Sequence, residues 1–242
     1  MLNSVNQIKF TGEFFIPGKS GERIESDHMA RYHFACKYVK NKAVLDIACG
    51  FGYGAPLMIE AGAIKYDGVD INEKLIDNAN LFYGSDCIEY HQGDICSYNS
   101  NKLFDIITCF ETIEHINNYK IALLNMYRLL KPDGILLISS PNRSVTSPNA
   151  TCISDKPSNP YHAQEFIIKE LKSGLNSAGF LINKNNIFGQ RQSLFNIRNT
   201  YVNKIIQYLC GNLSIKTSPT VSKIYYKVPR YFIIVADKFG EK

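Results

Sequence analysis

Residues 43–55 read AVLDIACGFGYGA, an apolar run that ends in three alternating glycines, Gly50, Gly52 and Gly54. A short apolar run closed by glycines predicts a buried parallel strand that ends in a tight turn. The residues that follow, APLMIEAGA, carry apolar side chains at helical spacing, so we expect the turn to lead into a helix. Strand, glycine turn and helix together form half of a nucleotide-binding βαβ unit.

A second apolar strand, within KYDGVDIN, ends at Asp70, about 20 residues after the first glycine. This is the place of a carboxylate that binds a ribose. Gly50, Gly52 and Ala55 also satisfy the G-x-G-x-x-A form of the dinucleotide fingerprint. These residues alone therefore fit a nicotinamide or flavin enzyme equally well, and the cofactor has to be decided from the rest of the chain.

Length and composition indicate one soluble α/β domain. The chain has 242 residues, of which 45% are hydrophobic and 20% charged, and this length is ample for a sizeable core. No apolar run approaches the roughly 18 residues that cross a bilayer, and the first residues do not resemble a secretory signal. The seven cysteines form no C-x-x-C pair. We therefore expect a cytoplasmic protein without disulfides or structural zinc.

The charge is unevenly distributed. The formal net charge is +5, but residues 184–242 contain ten Lys or Arg and two acidic residues, a net charge of +8. This excess predicts either a solvated basic face or a surface that attracts an anionic or nucleotide-linked acceptor. Aromatic residues lie among the basic ones, but no RNA-binding motif is present, and we expect no nucleic-acid partner.

Strands and helices alternate along the chain, which predicts a mainly parallel sheet with right-handed crossovers. The predicted strands after Asp70 lie in CIEYHQGDI, LFDIITCF, ILLISSPN, FLINKNNIF and RYFIIVADK. Helices are predicted from Ser26, after Asp70, in YKIALLNMYRLLK, in QEFIIKELKSGLNSAGF and in IRNTYVNKIIQYL. Residues 141–160 are rich in Pro, Ser, Asn and Thr and predict a long loop over the site.

The sequence resembles the class I S-adenosylmethionine-dependent methyltransferases over roughly residues 28–180. The matching stretches are VLDIACGFGYG, GVDIN, GDI, FDIITCFETIEHI and LLKPDGILLISSPN. The resemblance implies a Rossmann-like, seven-stranded, mostly parallel sheet with helices on both faces, a lid-like insertion and an antiparallel last strand. We expect a single domain over residues 1–242, with a core at 28–188, a final strand at 230–238 and a variable insertion at 189–225.

The resemblance also assigns S-adenosylmethionine as the cofactor and gives roles to residues at the carboxyl ends of the strands. The loop from Asp46 to Gly52 would hold the methionine part, Asp70 the ribose hydroxyls and Asp94 the adenine amine. Aliphatic side chains would pack on the adenine, and an aromatic ring would lie beneath the sulfonium. The residues implied for cofactor binding are Asp46, Ala48, Gly50, Gly52, Asp70, Ile71, Asp94, Ile95 and Phe110.

An alcohol acceptor benefits from a base, and two histidines are placed for that role. His115 follows the fourth predicted strand, which gives it a slight preference over His162 in the long loop. Glu111 would bond the substrate or a water. Glu111, Glu114 and His115 would share one helical face and could hold a divalent ion, but we expect no metal site.

A softer resemblance, carried by SPNRSV, NPYHAQEF and ESDHMARYHFA, is to methyltransferases encoded with bacterial surface-polysaccharide genes. It implies O-methylation of a small sugar-like or phosphorylated acceptor. The alternatives are an N-methyltransferase or a quinone or natural-product O-methyltransferase, whose relatives share FETIEH. More remote are an NAD-binding oxidoreductase and a non-catalytic subunit with this fold. The sequence leaves the acceptor and the oligomeric state open.

Overall fold

The computed structural model describes residues 20–193, 218–224 and 227–239. These residues form one sheet of eight strands in the order β3-β2-β1-β4-β5-β8-β6-β7. The strands are β1 (Ala43–Ile47), β2 (Lys65–Asp70), β3 (Ile88–Gln92), β4 (Phe104–Cys109), β5 (Leu130–Pro141), β6 (Ile187–Ser193), β7 (Ser222–Lys223) and β8 (Val228–Asp237). The helices are α1 (Glu22–Ala35), α2 (Gly54–Glu60), α3 (Glu73–Tyr83), α4 (Tyr119–Leu129), α5 (Arg143–Thr146) and α6 (Ile168–Ser177).

The sheet is parallel from β3 to β5 and antiparallel beyond. β8 runs antiparallel to both β5 and β6, which confirms the orientation predicted for the last strand. The eighth strand, β7, has two residues and pairs only at the edge, with β6. The predicted α/β Rossmann-like fold is confirmed, with this short edge strand added to the seven that were predicted.

Helices cover both faces of the sheet, and each face has its own core. On one face α4 and α6 bury Leu123, Met126 and Leu171 against the sheet. On the other, α1, α2 and α3 bury residues such as Phe34 and Met58. The five parallel strands are therefore covered on both sides, as expected for nearly continuous apolar strands.

Three local predictions differ from the structure. Helix α1 begins at Glu22 rather than Ser26. The predicted strand FLINKNNIF contains a 3-10 turn at Lys184–Asn186, because the Asn183 side chain accepts a hydrogen bond from the Asn185 amide. Strand β6 therefore begins only at Ile187 and continues to Ser193, into the segment predicted as an insertion.

The predicted helix IRNTYVNKIIQYL lies outside the described residues, as does most of the predicted insertion. Within the described residues, none of the helices is long and apolar enough to cross a bilayer. The six described cysteines are free thiols.

Candidate active site

A cavity of about 1110 Å³ opens at the carboxyl ends of β1, β2, β4 and β5. This volume exceeds a typical pocket for one small ligand, so it has room for a cofactor and an acceptor together. The predicted site residues that line it are Ala48, Gly50, Asp70, Ile71, Asp94, Ile95, Phe110, Glu111, His115 and His162. Two predicted cofactor residues, Asp46 and Gly52, do not line it.

The turn after β1 presents its backbone to the cavity. Ala48 and Gly50 have left-handed backbone angles, φ 54° and φ 58°. A methyl group built on Gly50 would meet no atom within 4 Å, so this face of the turn is open. A ligand can therefore approach the backbone closely here, which is what the glycine-rich turn was predicted to allow.

Asp70 lies at the end of β2, beside this turn. One carboxylate oxygen, Oδ2, accepts the Gly50 amide at 3.0 Å, and Oδ1 accepts the Asn72 amide at 2.9 Å. Burial raises the pKa of Asp70, and the backbone amides of Asn72, Gly50 and Ile71 oppose that rise. Each oxygen keeps a second lone pair, so the carboxylate can still accept the two hydroxyls of a ribose.

Next to Asp70, the cavity has an apolar wall that suits a flat base. Ile71 is 67% exposed although it is large and apolar, and it faces the cavity together with the buried Ile95. Asp94 accepts the Cys96 amide at 2.8 Å through Oδ1. Ile71, Ile95 and Asp94 therefore fit the adenosine part of S-adenosylmethionine.

Asp46 is 1% exposed and points away from the cavity. It accepts hydrogen bonds from the hydroxyls of Tyr32 (2.8 Å), Tyr66 (2.5 Å) and Thr108 (2.5 Å). Burial raises its pKa to about 6, against the effect of these three donors. These bonds give Asp46 a role in holding the turn, and its predicted position near the cofactor amino group stays a prediction.

Gly52 has a similar supporting position. Its carbonyl accepts the Tyr90 hydroxyl at 2.8 Å, and a methyl group built on it would lie 2.5 Å from that oxygen. The glycine is needed because the tyrosine packs directly against the turn. Gly52 therefore fixes the shape of the turn, and its predicted contact with the cofactor stays a prediction.

Aromatic rings form the wall where the methyl donor would lie. The Tyr32 ring meets Phe110 and Tyr53 edge-to-face, at centroid distances of 5.5 Å and 5.1 Å. His28 Nδ1 lies 2.9 Å from the Tyr53 hydroxyl, and burial lowers the pKa of His28 well below its usual value. A neutral imidazole beside π-faces suits a sulfonium cation. The sequence indicated Phe110, but it did not single out Tyr32 or Tyr53.

Glu111 is held in a strained position directly after β4. Its φ is 49°, and the 3-10 turn that follows covers only Ile113–His115. Ser139 donates to Glu111 Oε1 at 2.6 Å, and Arg31 lies 3.3 Å from Oε2. The prediction that Glu111, Glu114 and His115 share one helical face is wrong, because the left-handed residue turns Glu111 toward Ser139 and Arg31.

The two predicted base candidates lie side by side. The His115 and His162 rings meet edge-to-face with centroids 4.8 Å apart. His115 Nδ1 lies 3.0 Å from the Tyr161 carbonyl, so this nitrogen carries the proton. The loop and the end of β4 thus bring both imidazoles to one wall of the cavity.

His162 has a buried carboxylate partner that the sequence analysis missed. Its Nδ1 lies 2.7 Å from Glu165 Oε1, and Glu165 is 1% exposed. Burial alone would raise the pKa of Glu165, but hydrogen bonds from His162, Thr146 and Ser147 bring the pKa below its usual value. Glu165 is therefore an anion at neutral pH. The signal available in the sequence was the i, i+3 spacing within HAQE.

The hydrogen-bond network also fixes which nitrogen of His162 is protonated. Asn159 Oδ1 accepts the Tyr161 amide at 3.1 Å, which leaves its Nδ2 to donate to His162 Nε2 at 2.8 Å. His162 is thus neutral, with the proton on Nδ1 and the lone pair on Nε2. An imidazole in this form can accept a proton.

Glu114 completes a group of possible metal ligands. Ligand atoms of Glu114, His115 and His162 lie within 4.8 Å of one another, so His162 takes the place expected for Glu111. Burial and the neighbouring Glu111 raise the pKa of Glu114 well above its usual value. A carboxyl group that keeps its proton is a poor ligand for a divalent cation.

The strand-end cavity on a Rossmann-like sheet places this chain in the class of nucleoside-binding α/β enzymes. A family model described as a methyltransferase domain matches residues 23–184. The chain therefore belongs to this family, the class I S-adenosylmethionine-dependent methyltransferases, as its sequence predicts.

Individual relatives agree with this assignment. A Mycolicibacterium smegmatis protein named "Probable S-adenosylmethionine-dependent methyltransferase" is 30% identical over 72% of this chain and 65% of its own length. The chain thus spans somewhat less than two thirds of that relative. The ubiquinone biosynthesis O-methyltransferase of Rickettsia canadensis is 33% identical over 41% of this chain and 43% of its own length.

The solved structures show the same fold. The crystal structure of a Listeria monocytogenes protein described as an S-adenosylmethionine-dependent methyltransferase superposes with a TM-score of 0.62 and 18% identity. The superposition covers 90% of this chain and 100% of the Listeria chain. The predicted cofactor, S-adenosylmethionine, is thus the one that the family uses.

Proposed function

We propose that this protein transfers a methyl group from S-adenosylmethionine to an oxygen of a small sugar-like or phosphorylated acceptor in surface-polysaccharide synthesis. The observation that carries the proposal is the neutral His162, backed by the buried Glu165 carboxylate, in the cavity that also contains Asp70 and Ile71. A base is needed for an alcohol acceptor and is unnecessary for one that is already ionised.

The chain's own residues divide the work between the two ends of the cavity. The turn at Gly50, the Asp70 carboxylate, Ile71, Ile95 and Asp94 would hold the cofactor, which supplies a methyl group already activated by the sulfonium. His162 Nε2 takes the proton of the acceptor hydroxyl when that hydroxyl replaces the Asn159 amide. Glu165 orients the ring and stabilises the positive charge that the ring gains.

This geometry favours His162 over His115 as the base. His115 has a backbone carbonyl, that of Tyr161, on its Nδ1, whereas His162 has a carboxylate there. An anion stabilises an imidazolium more than a neutral carbonyl does. The slight preference for His115 that followed from strand position is therefore reversed in this proposal, and His115 packs against the base as its neighbour.

Glu111 is assigned to the acceptor side. Its backbone amide donates a hydrogen bond to Ser139 Oγ at 3.0 Å. With Oε1 and Oε2 held by Ser139 and Arg31, Glu111 forms part of the cavity lining and keeps Arg31 in place.

A screen of acceptors for release of S-adenosylhomocysteine tests the proposal. We expect turnover with sugar or nucleotide-linked sugar hydroxyls and none without an acceptor. Turnover only with amines would overturn O-methylation.

A second candidate is methylation of a quinone precursor, which the similarity to the Rickettsia ubiquinone biosynthesis enzyme favours. That reaction also uses a hydroxyl acceptor. Turnover with phenolic acceptors and none with sugars in the same screen would select this candidate.

A further inference from the structure

Arg230 and Tyr231 lie on the side of the cavity away from the cofactor residues. Tyr231 in β8 pairs with Pro141 at the carboxyl end of β5, and the Arg230 carbonyl accepts the Asn142 amide at 2.9 Å. The residues assigned to the ribose and adenine lie at the ends of β2 and β3, at least four places from β8 in the sheet order, whereas Phe110, assigned to the sulfonium, follows β4. Arg230 and Tyr231 line the cavity together with His162, so they are on the acceptor side.

Two arginines, Arg31 and Arg230, line the cavity, and within the described residues only Arg31 has an ion-pair partner. Arg31 pairs with Glu111 at 3.3 Å, and Asp27 pairs with Arg191 at 2.7 Å. Arg230 is half-buried, yet no carboxylate of residues 20–193, 218–224 or 227–239 lies within ion-pair distance of it. A partly desolvated guanidinium without a counter-charge is costly, and a ligand anion would supply that charge.

The guanidinium of Arg230 is also held in place. It lies 5.7 Å from the centroid of the Tyr231 ring, and its Nε is 3.4 Å from the Tyr231 hydroxyl. The same ring is contacted by Arg31 at 5.3 Å, and Arg31 is fixed by Glu111. A guanidinium fixed on an aromatic ring loses less entropy when it binds an anion than a mobile lysine would.

We propose that Arg230, held against Tyr231, binds a phosphate or carboxylate group of the acceptor. A planar guanidinium matches both groups, since each presents two oxygens for parallel hydrogen bonds. The assignment of this anion to the acceptor rests on the function proposed above, whereas the anion site itself does not.

Calorimetric titration of the full-length protein with pyrophosphate and with malonate tests the site, with and without saturating S-adenosylhomocysteine. Arg230→Gln should weaken binding of the preferred anion about tenfold or more, as expected for loss of a charged hydrogen bond. Arg230→Lys should lie between that variant and the wild type. Lys227→Gln is the matched control, because Lys227 is exposed, does not line the cavity and carries the same charge.

The two probes identify the source of the anion: tighter binding of pyrophosphate indicates a phosphorylated acceptor, and tighter binding of malonate a carboxylated one. Equal weakening by Arg230→Gln and Lys227→Gln would overturn the site, as would wild-type protein that binds neither probe. S-adenosylhomocysteine affinity, measured in every variant, separates the two proposals. If the wild type does not bind S-adenosylhomocysteine, the proposed methyltransferase function is rejected, whereas anion binding that depends on Arg230 would still stand.

Discussion

At the scale of single residues, the proposed mechanism depends on His162 as the base and on Glu165 as its anionic partner. A positioned base contributes about 10²–10⁴-fold, so His162→Ala should lower kcat by about that factor and leave S-adenosylhomocysteine affinity unchanged. Glu165→Gln keeps the shape and removes the charge, so kcat should fall, because the ring would then gain its positive charge without a neighbouring anion. The matched control is His33→Ala, because His33 is exposed on α1 and lies outside the cavity.

Two results would contradict this assignment. A large loss of kcat in His115→Ala, with near wild-type turnover in His162→Ala, would transfer the role to His115. Near wild-type turnover in both variants would mean that alignment of the reactants is sufficient, which favours an amine or an already ionised acceptor.

Asp46 gives a test that depends on pH. Its pKa in the folded protein is about 6, above the usual 3.8, so the folded state keeps a proton that the unfolded state has lost. Stability contributed by this group must therefore fall as pH rises from about 4 to about 6.5. Over that range the melting temperature of the wild type should fall relative to that of Asp46→Asn. Parallel curves for the two proteins would show that Asp46 does not titrate in this way.

At the scale of elements, two glycines between β1 and α2 are expected to affect different properties: Gly54 the stability of the protein, and Gly50 the binding of the cofactor. A methyl group on Gly54 would lie 2.1 Å from the Tyr32 ring, whereas one on Gly50 would meet nothing within 4 Å. Gly54→Ala should therefore destabilise the protein by roughly 1–3 kcal/mol, as overpacking does. Gly50→Ala adds a methyl group to the cavity wall and left-handed strain of about 1–2 kcal/mol, so it should mainly weaken cofactor binding.

Denaturant unfolding and calorimetry measure these two effects. Equal loss of cofactor affinity in both variants, at unchanged stability, would contradict the packing of Tyr32 beneath the turn.

The elements with strong periodic or glycine signals were predictable from the sequence. The run AVLDIACGFGYGA and the two acids Asp70 and Asp94 placed the cofactor side of the cavity, because strand ends of a parallel sheet meet at one edge. The acceptor side was less readable. Arg31 and Tyr231 acquire their roles only through contacts across the fold, such as the pairing of Tyr231 with Pro141, and no local pattern encodes those contacts.

Asp46 and Glu111 show a second limit. Their positions after or within strands were predicted, but the contacts that each side chain makes inside the protein were not. Asp46 faces three buried hydroxyls, and the φ of 49° at Glu111 ends the expected helical face. A left-handed backbone at a non-glycine residue is uncommon and has no signature in a single sequence.

At the scale of the whole molecule, the reaction should need no added metal. Burial and the neighbouring Glu111 raise the pKa of Glu114 well above its usual value, which disfavours the anionic form that a divalent cation binds in the Glu114, His115 and His162 group. Turnover should therefore survive EDTA and should not rise when Mg²⁺ or Mn²⁺ is added. Loss of activity with EDTA and rescue by either ion would show that the three side chains do bind a metal.

The central claim is that the cavity binds S-adenosylmethionine through Asp70, and calorimetric titration with S-adenosylhomocysteine tests it most directly. The wild type should bind this product, and NAD should not bind at the same concentrations. Asp70→Ala removes two ribose hydrogen bonds, each worth roughly 1–3 kcal/mol for a charged acceptor, so its affinity should fall at least tenfold. Unchanged affinity in Asp70→Ala, or tight binding of NAD by the wild type, would contradict the account.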